Sequence, residues 1–245
     1  MKNLILASLF ILASAPLTSK ADEGYKLGTY KPEIVFSPKA FDTNDNAQVV
    51  LYGKFIDVCH KVGPAKFKVD QEKKRIYIDN QVYSRALCIE MYVNIPYTVV
   101  VDLGTLPEGK YDVYASNGTG GYSKAEMLPI TAAKSNGEVD NFFYAQVDDA
   151  KFIPASDASS PQLLLKGTLH NTCLSLREIK VSFSAGNVYD ILPIMDVSHS
   201  NCKPAAVEFE RTITLDHFPK LPALLNIRSS GGQSVEKVID LKKLF

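Results

Sequence analysis

The chain contains no Trp, only four Cys and four His among 245 residues, and its 27 basic side chains are matched by 27 acidic ones. Each scarcity excludes something. Without an excess of Lys and Arg there is no field to neutralise a phosphate backbone, so nucleic acid is not expected as a partner. The patterns C-x-x-C, H-E-x-x-H, G-x-S-x-G and G-x-x-x-x-G-K-[ST] are all missing, and with them the usual signatures of redox, zinc, hydrolase and nucleotide chemistry. No apolar run after Ala13 approaches the ~20 residues that span a bilayer. No segment holds a 3.6-residue apolar period between good caps, so almost no helix is expected.

What is present begins with an address. Lys2 is followed by the apolar stretch Leu4 to Ala13, and the small residues Ser19 and Ala21 stand three and one before Asp22. This is the layout of a secretory signal peptide, residues 1–21, with a rival cut after Ala15. A periplasmic or secreted protein is expected, with no membrane span.

The four Cys form two pairs of identical spacing. Cys59 and Cys88 are 29 residues apart, Cys173 and Cys202 are also 29 apart, and the pairs are offset by 114. Gly53 and Gly167 each stand six positions before the first Cys of a pair. Leu103 and Leu215 match at an offset of 112, and Gly120-Gly121 and Gly231-Gly232 at 111. Matches in constant order with slowly drifting offset indicate a diverged tandem repeat. Two domains are expected, 22–134 and 135–245, joined near Thr131 to Glu138.

Each repeat reads as strands. Gln48–Ile56, Ala65–Val69, Arg75–Ile78, Tyr97–Leu103 and Lys110–Tyr114 are short and rich in β-branched and aromatic residues. Tyr97, Val99, Val101 and Leu103 keep an apolar period of two, as a half-buried strand requires. The Gly-Gly dipeptides have the chemistry of hairpins joining the last two strands. The expected fold is all-β, two tandem sandwiches. In an oxidising compartment the repeat favours disulfides Cys59–Cys88 and Cys173–Cys202 over the two crossed alternatives. Each closes a loop of about 30 residues, for roughly 3–4 kcal/mol of stabilisation in the chain-entropy view.

Leu106-Pro107-Glu108-Gly109-Lys110-Tyr111-Asp112-Val113 resembles the approach to the penultimate strand of fibronectin-type-III and other immunoglobulin-like sandwiches. The resemblance covers most of the mature chain at superfamily level. It implies that the Tyr111 hydroxyl closes a corner by bonding back to backbone. The second repeat has Leu225 where that Tyr would stand, so its corner bond should be missing.

The chemistry-bearing residues are few. His60, His170, His199 and His217 are scattered, and their placement beside the Cys is not that of a zinc site. Asp42, Asn44, Asp45 and Asn46 lack the Gly and distal Glu of a calcium loop and read as a solvated turn. Asn117-Gly118-Thr119 fits a glycosylation sequon but lies in an expected hairpin. No metal or cofactor is expected. The candidate contact residues are Tyr114, Asn117, Thr119 and Tyr122 around the first glycine hairpin and Gln233 in the second. The expected function is non-enzymatic: a binding or structural protein that presents loops and edge strands to a protein or glycan of the cell envelope. A periplasmic pilus-type assembly chaperone and, less favoured, an enzyme inhibitor are the alternatives. Oligomeric state is left open.

Overall fold

The computed structural model describes residues 24–240 except 87, 89–90, 134–143, 156–159, 185, 199–200 and 217–219. The expected signal peptide and most of the expected linker therefore lie outside the described residues. Everything described is strand, turn or loop; no helix occurs among the described residues.

The first half holds β1 (Tyr25–Thr29), β2 (Ile34–Phe36), β3 (Phe41–Asp42), β4 (Ala47–Asp57), β5 (His60–Asp70), β6 (Arg75–Arg85), β7 (Tyr92–Gly104), β8 (Gly109–Ser116) and β9 (Tyr122–Thr131). The second holds β10 (Gln146–Ile153), β11 (Gln162–Asn171), β12 (Leu174–Ser184), β13 (Val188–Val197), β14 (Pro204–Thr214), β15 (Ala223–Arg228) and β16 (Ser234–Ile239). The repeat is visible in the pairing. Sheet I joins β5, β6, β8, β9 and β3, with β1 also on β6, and sheet II is β2-β4-β7. In the second half the matching sheets are III, β12-β13-β15-β16, and IV, β10-β11-β14.

Sheets I and II enclose Val49, Leu51, Ile76, Ile78, Val101 and Val113; sheets III and IV enclose Leu163, Leu165, Ile191, Leu225 and Ile227. These are alternate residues of their strands, so the period-two pattern does what it should. One disulfide sits in each half, Cys59–Cys88 with Cα atoms 5.7 Å apart and Cys173–Cys202 at 5.2 Å. Each first Cys follows an Asx turn. Asp57 Oδ1 accepts the Cys59 amide at 2.8 Å, and Asn171 Oδ1 accepts the Cys173 amide at 2.9 Å. Disulfides of this kind belong to oxidising compartments rather than the cytoplasm.

Two features go beyond the sequence pattern. Both halves share an equivalent parallel pair, β6 with β8 and β13 with β15, and in the first half the short β3 also runs parallel to β9. The chain leaves β6, passes through β7 in the facing sheet and returns in its original direction, which makes the pair parallel. The all-antiparallel sheets of immunoglobulin sandwiches lack such a pair. Strands β5 and β6 are also longer than expected, because β5 carries Lys61, Lys66 and Lys68 and so hides its alternation.

The halves meet face to face. Phe36, Val50 and Tyr52 on the outer side of sheet II pack against Val188 and Leu224 on the outer side of sheet III, with Ile34 and Val238 at the margin. The layers therefore run I–II–III–IV. Polar ties surround this seam. The Lys39 amide donates to Asp190 at 3.2 Å, Lys54 Nζ lies 3.7 Å from Asp240, which also accepts from Tyr52, and the Asn46 amide donates to Gly232 O at 3.1 Å. Arg228, fully buried, pairs with Asp45, itself 2% exposed. The Asp42–Asn46 loop is thus not simply the solvated turn expected of it: Asp42 and Asp45 are buried, and the second half engages Asp45 and the Asn46 amide.

Candidate functional site

The outer face of sheet I collects the side chains that sequence alone left scattered. Direct cross-strand partners form a row, Lys68 on β5, Tyr77 on β6, Tyr114 on β8 and Lys124 on β9. Register explains the gathering: Ile76, Ile78 and Val113 point into the core, so their neighbours Tyr77 and Tyr114 must point out. The Tyr77 and Tyr114 rings stack with centroids 5.2 Å apart and planes 22° from parallel. Tyr122, 43% exposed, meets Tyr77 edge-on, also at 5.2 Å.

Charges frame the three rings. Arg75 Cζ lies 5.7 Å from the Tyr114 centroid, and a hydrogen bond with Tyr77, reinforced by both phenols, raises its pKa. Lys124 Nζ lies 2.7 Å from Asp112, and that bond raises the Lys124 pKa. A hydrogen bond to Asp79, with some burial, raises the Tyr122 phenol. Each shift holds these groups in their ordinary charge state at neutral pH, so the face carries both signs around aromatic tips. Such a surface suits binding: amphipathic rings with polar ends, joined by Arg, are what interface cores concentrate.

The structure brings Tyr114 and Tyr122 together, and adds Tyr77, which the sequence reading missed. Nothing in the sequence marks Tyr77 until register places it beside Tyr114. Asn117 and Thr119 serve the turn instead. Asn117 Oδ1 accepts the Thr119 amide and hydroxyl, both at 2.9 Å, and the Gly121 amide at 3.1 Å. Gly118 and Gly120 supply the left-handed φ values, +81° and +86°, that the loop needs. Gln233 is not brought to this face. It is exposed on the β15–β16 hairpin, whose Gly232 is bonded to the first half. The two glycine hairpins therefore have different surroundings, one clear of the junction and one docked at it.

The second half supplies an internal comparison. There the positions of Tyr77, Tyr114 and Lys124 are held by Asp190, Asn226 and Glu236, which form the same straight row across β13, β15 and β16. Asn226 Nδ2 donates to Asp190 at 2.6 Å. That face is covered by sheet II. Among the described residues no sheet covers the equivalent face of sheet I.

A shallow cleft of about 310 Å³ runs between Lys31–Val35 and the β8–β9 ladder, lined by Ser116, Ser123 and Lys124. Among the described residues no group of three His, Cys, Asp or Glu is placed to hold a metal ion. Set against known protein families, curated proteins and solved structures, the chain matches none of them.

Proposed function

We propose that this chain is a periplasmic or secreted, non-enzymatic binding protein whose contact surface is the tyrosine face of sheet I. One observation carries the reading. The face that the second half uses to bind a β-sheet is covered by no sheet in the first half among the described residues, and there it displays stacked Tyr77 and Tyr114 with Tyr122 beside them. That precedent within the molecule favours a protein partner over a glycan. The rings stand against each other, so their broad faces are used up and their edges and hydroxyls remain for contact. The Ser116–Ser123 hairpin borders this surface and positions Tyr122.

The test is chemical cross-linking of the tagged, oxidised mature protein in its native envelope. Tyr77→Ala combined with Tyr114→Ala should abolish a saturable cross-link that Gln233→Ala leaves intact. Retention of the cross-link by the double variant would end the reading. Binding to a glycan array instead, lost in the same variant, would move the partner class from protein to sugar.

A further inference from the structure

Sheet II ends at β7, which bonds to β4 along one side and to no other strand along its second side among the described residues. An open edge exposes a row of backbone donors and acceptors, and proteins ordinarily blunt such edges with charge. The other long edges obey this. β5 carries Lys66 and Lys68, β12 carries Arg177 and Lys180, and β14, the counterpart of β7 in the second repeat, carries Glu208 and Glu210. From Tyr92 to Val101, β7 carries no charge. Its Val93 and Ile95 are each 37% exposed and Val100 is 40% exposed. Its protective devices are Pro96 and a bulge near each end, which leave Ile95–Asp102 in unbroken register with β4.

A second observation comes from the facing sheet. Ala65 and Val69 on β5 pack against the core. Phe67, between them and opposite buried Ile78, shares their side of the strand yet is 44% exposed. β5 lies against β7, and the exposure of Phe67 on the core side of β5 shows that sheet II does not cover this part of the strand. The place that a further strand beside β7 would fill has an apolar roof and an uncharged wall.

We infer that the β7 edge is a strand-addition site for an extended, uncharged apolar segment of a partner polypeptide. Only another extended backbone can satisfy the exposed ladder in register, and alternate apolar side chains of that segment would cover Phe67. A second copy would bring its own Pro96, which has no amide to donate, to this edge, and that favours a free extended segment over the β7 edge of a second copy. The site is separate from the tyrosine face and stands or falls without it.

The test pans a displayed library of random decapeptides on the full oxidised mature protein and measures selected peptides by fluorescence anisotropy. Uncharged alternating sequences should be enriched, and their binding should slow amide exchange at residues 93–101. Val100→Lys and Phe67→Lys should each weaken binding at least tenfold, while Val207→Lys on β14 leaves it unchanged. Far-UV spectra and melting points establish that each variant is folded, and the exchange experiment needs no variant. Failure to enrich any peptide, equal binding by Val100→Lys, or protection outside β7 would overturn the proposal. A concentration-dependent dimer lost in Val100→Lys would overturn it in favour of self-pairing.

Discussion

Gly53 and Gly167 are the smallest residues in the repeat and among the most constrained. A Cβ on Gly53 would stand 2.5–2.7 Å from the Tyr97 ring, and one on Gly167 would stand 2.6 Å from the Phe209 ring and 2.0 Å from the Gln146 carbonyl. In each half an aromatic on the partner strand lies across the glycine, Gly53 opposite Tyr97 and Gly167 opposite Phe209. Gly53→Ala should cost about 1–3 kcal/mol by overpacking, and Gly167→Ala more, because a carbonyl yields less than a ring. Urea unfolding would rank them. Tyr111 Oη donates to Pro107 O at 2.9 Å, the corner bond its sequence setting implies; by strand register its counterpart in the second half is Ala223, and Leu225 stands at the place of Val113, so the corner bond is missing there. Tyr111→Phe should therefore cost about 1 kcal/mol. Glu236 has the opposite character. Both its oxygens are buried without a partner, and burial, then Asp190, with a smaller push from Asp102, raises its pKa to about 8 against the pull of Arg228. The folded chain holds this proton between the ordinary carboxyl range and pH 8 while the unfolded chain releases it. Stability from this group is full below about pH 4.5 and falls as pH rises toward 8. Glu236→Gln should flatten that fall and stabilise the protein at pH 7 by roughly 2–3 kcal/mol. A variant equal to the parent in urea titrations at both pH 5 and pH 8 would refute this.

At the scale of strands and turns, much was legible in advance. Equal Cys spacings gave away the pairing of Cys59 with Cys88 and of Cys173 with Cys202, and a non-reducing peptide map of the protein should recover both. The Gly231-Gly232 hairpin turns through two left-handed residues, each with φ +71°, as short β-hairpins require. The charge run Gln71–Arg75 falls at the β5–β6 turn. What stayed hidden shares one cause. On β15 and β16 the residues at the seam are mostly polar: Leu225 and Ile227 face the core, while Asn226, Arg228 and Glu236 face the other half beside apolar Leu224. A polar outer row reads as solvent-facing, so neither the burial of Asp45 nor the engagement of Arg228 could be seen without long-range register. The tyrosine face was half legible for the same reason: Tyr114 and Tyr122 lie near a recognisable hairpin, whereas Tyr77 joins them only through a parallel pairing.

At the scale of the whole molecule, the two cores are linked by a third, smaller one at the seam. Arg228→Ala would leave Asp45 buried without its guanidinium partner, at a cost of about 3–5 kcal/mol. Calorimetry should show one transition for the parent chain and two for the variant, as the halves lose their coupling. A single unshifted transition would mean that the seam contributes nothing. The seam also joins unlike faces, the outer side of sheet II to the outer side of sheet III, although the halves are copies. Copies joined through unlike faces have no twofold axis between them, and a pair joined in this way leaves one face of each kind uncovered. It behaves as a short column, extensible in principle by another duplication at either end, whose length is set by what covers its terminal faces. Tyr77, Tyr114 and Lys124, in place of the buried Asp190, Asn226 and Glu236 of the second half, bring the column to a stop at the first end.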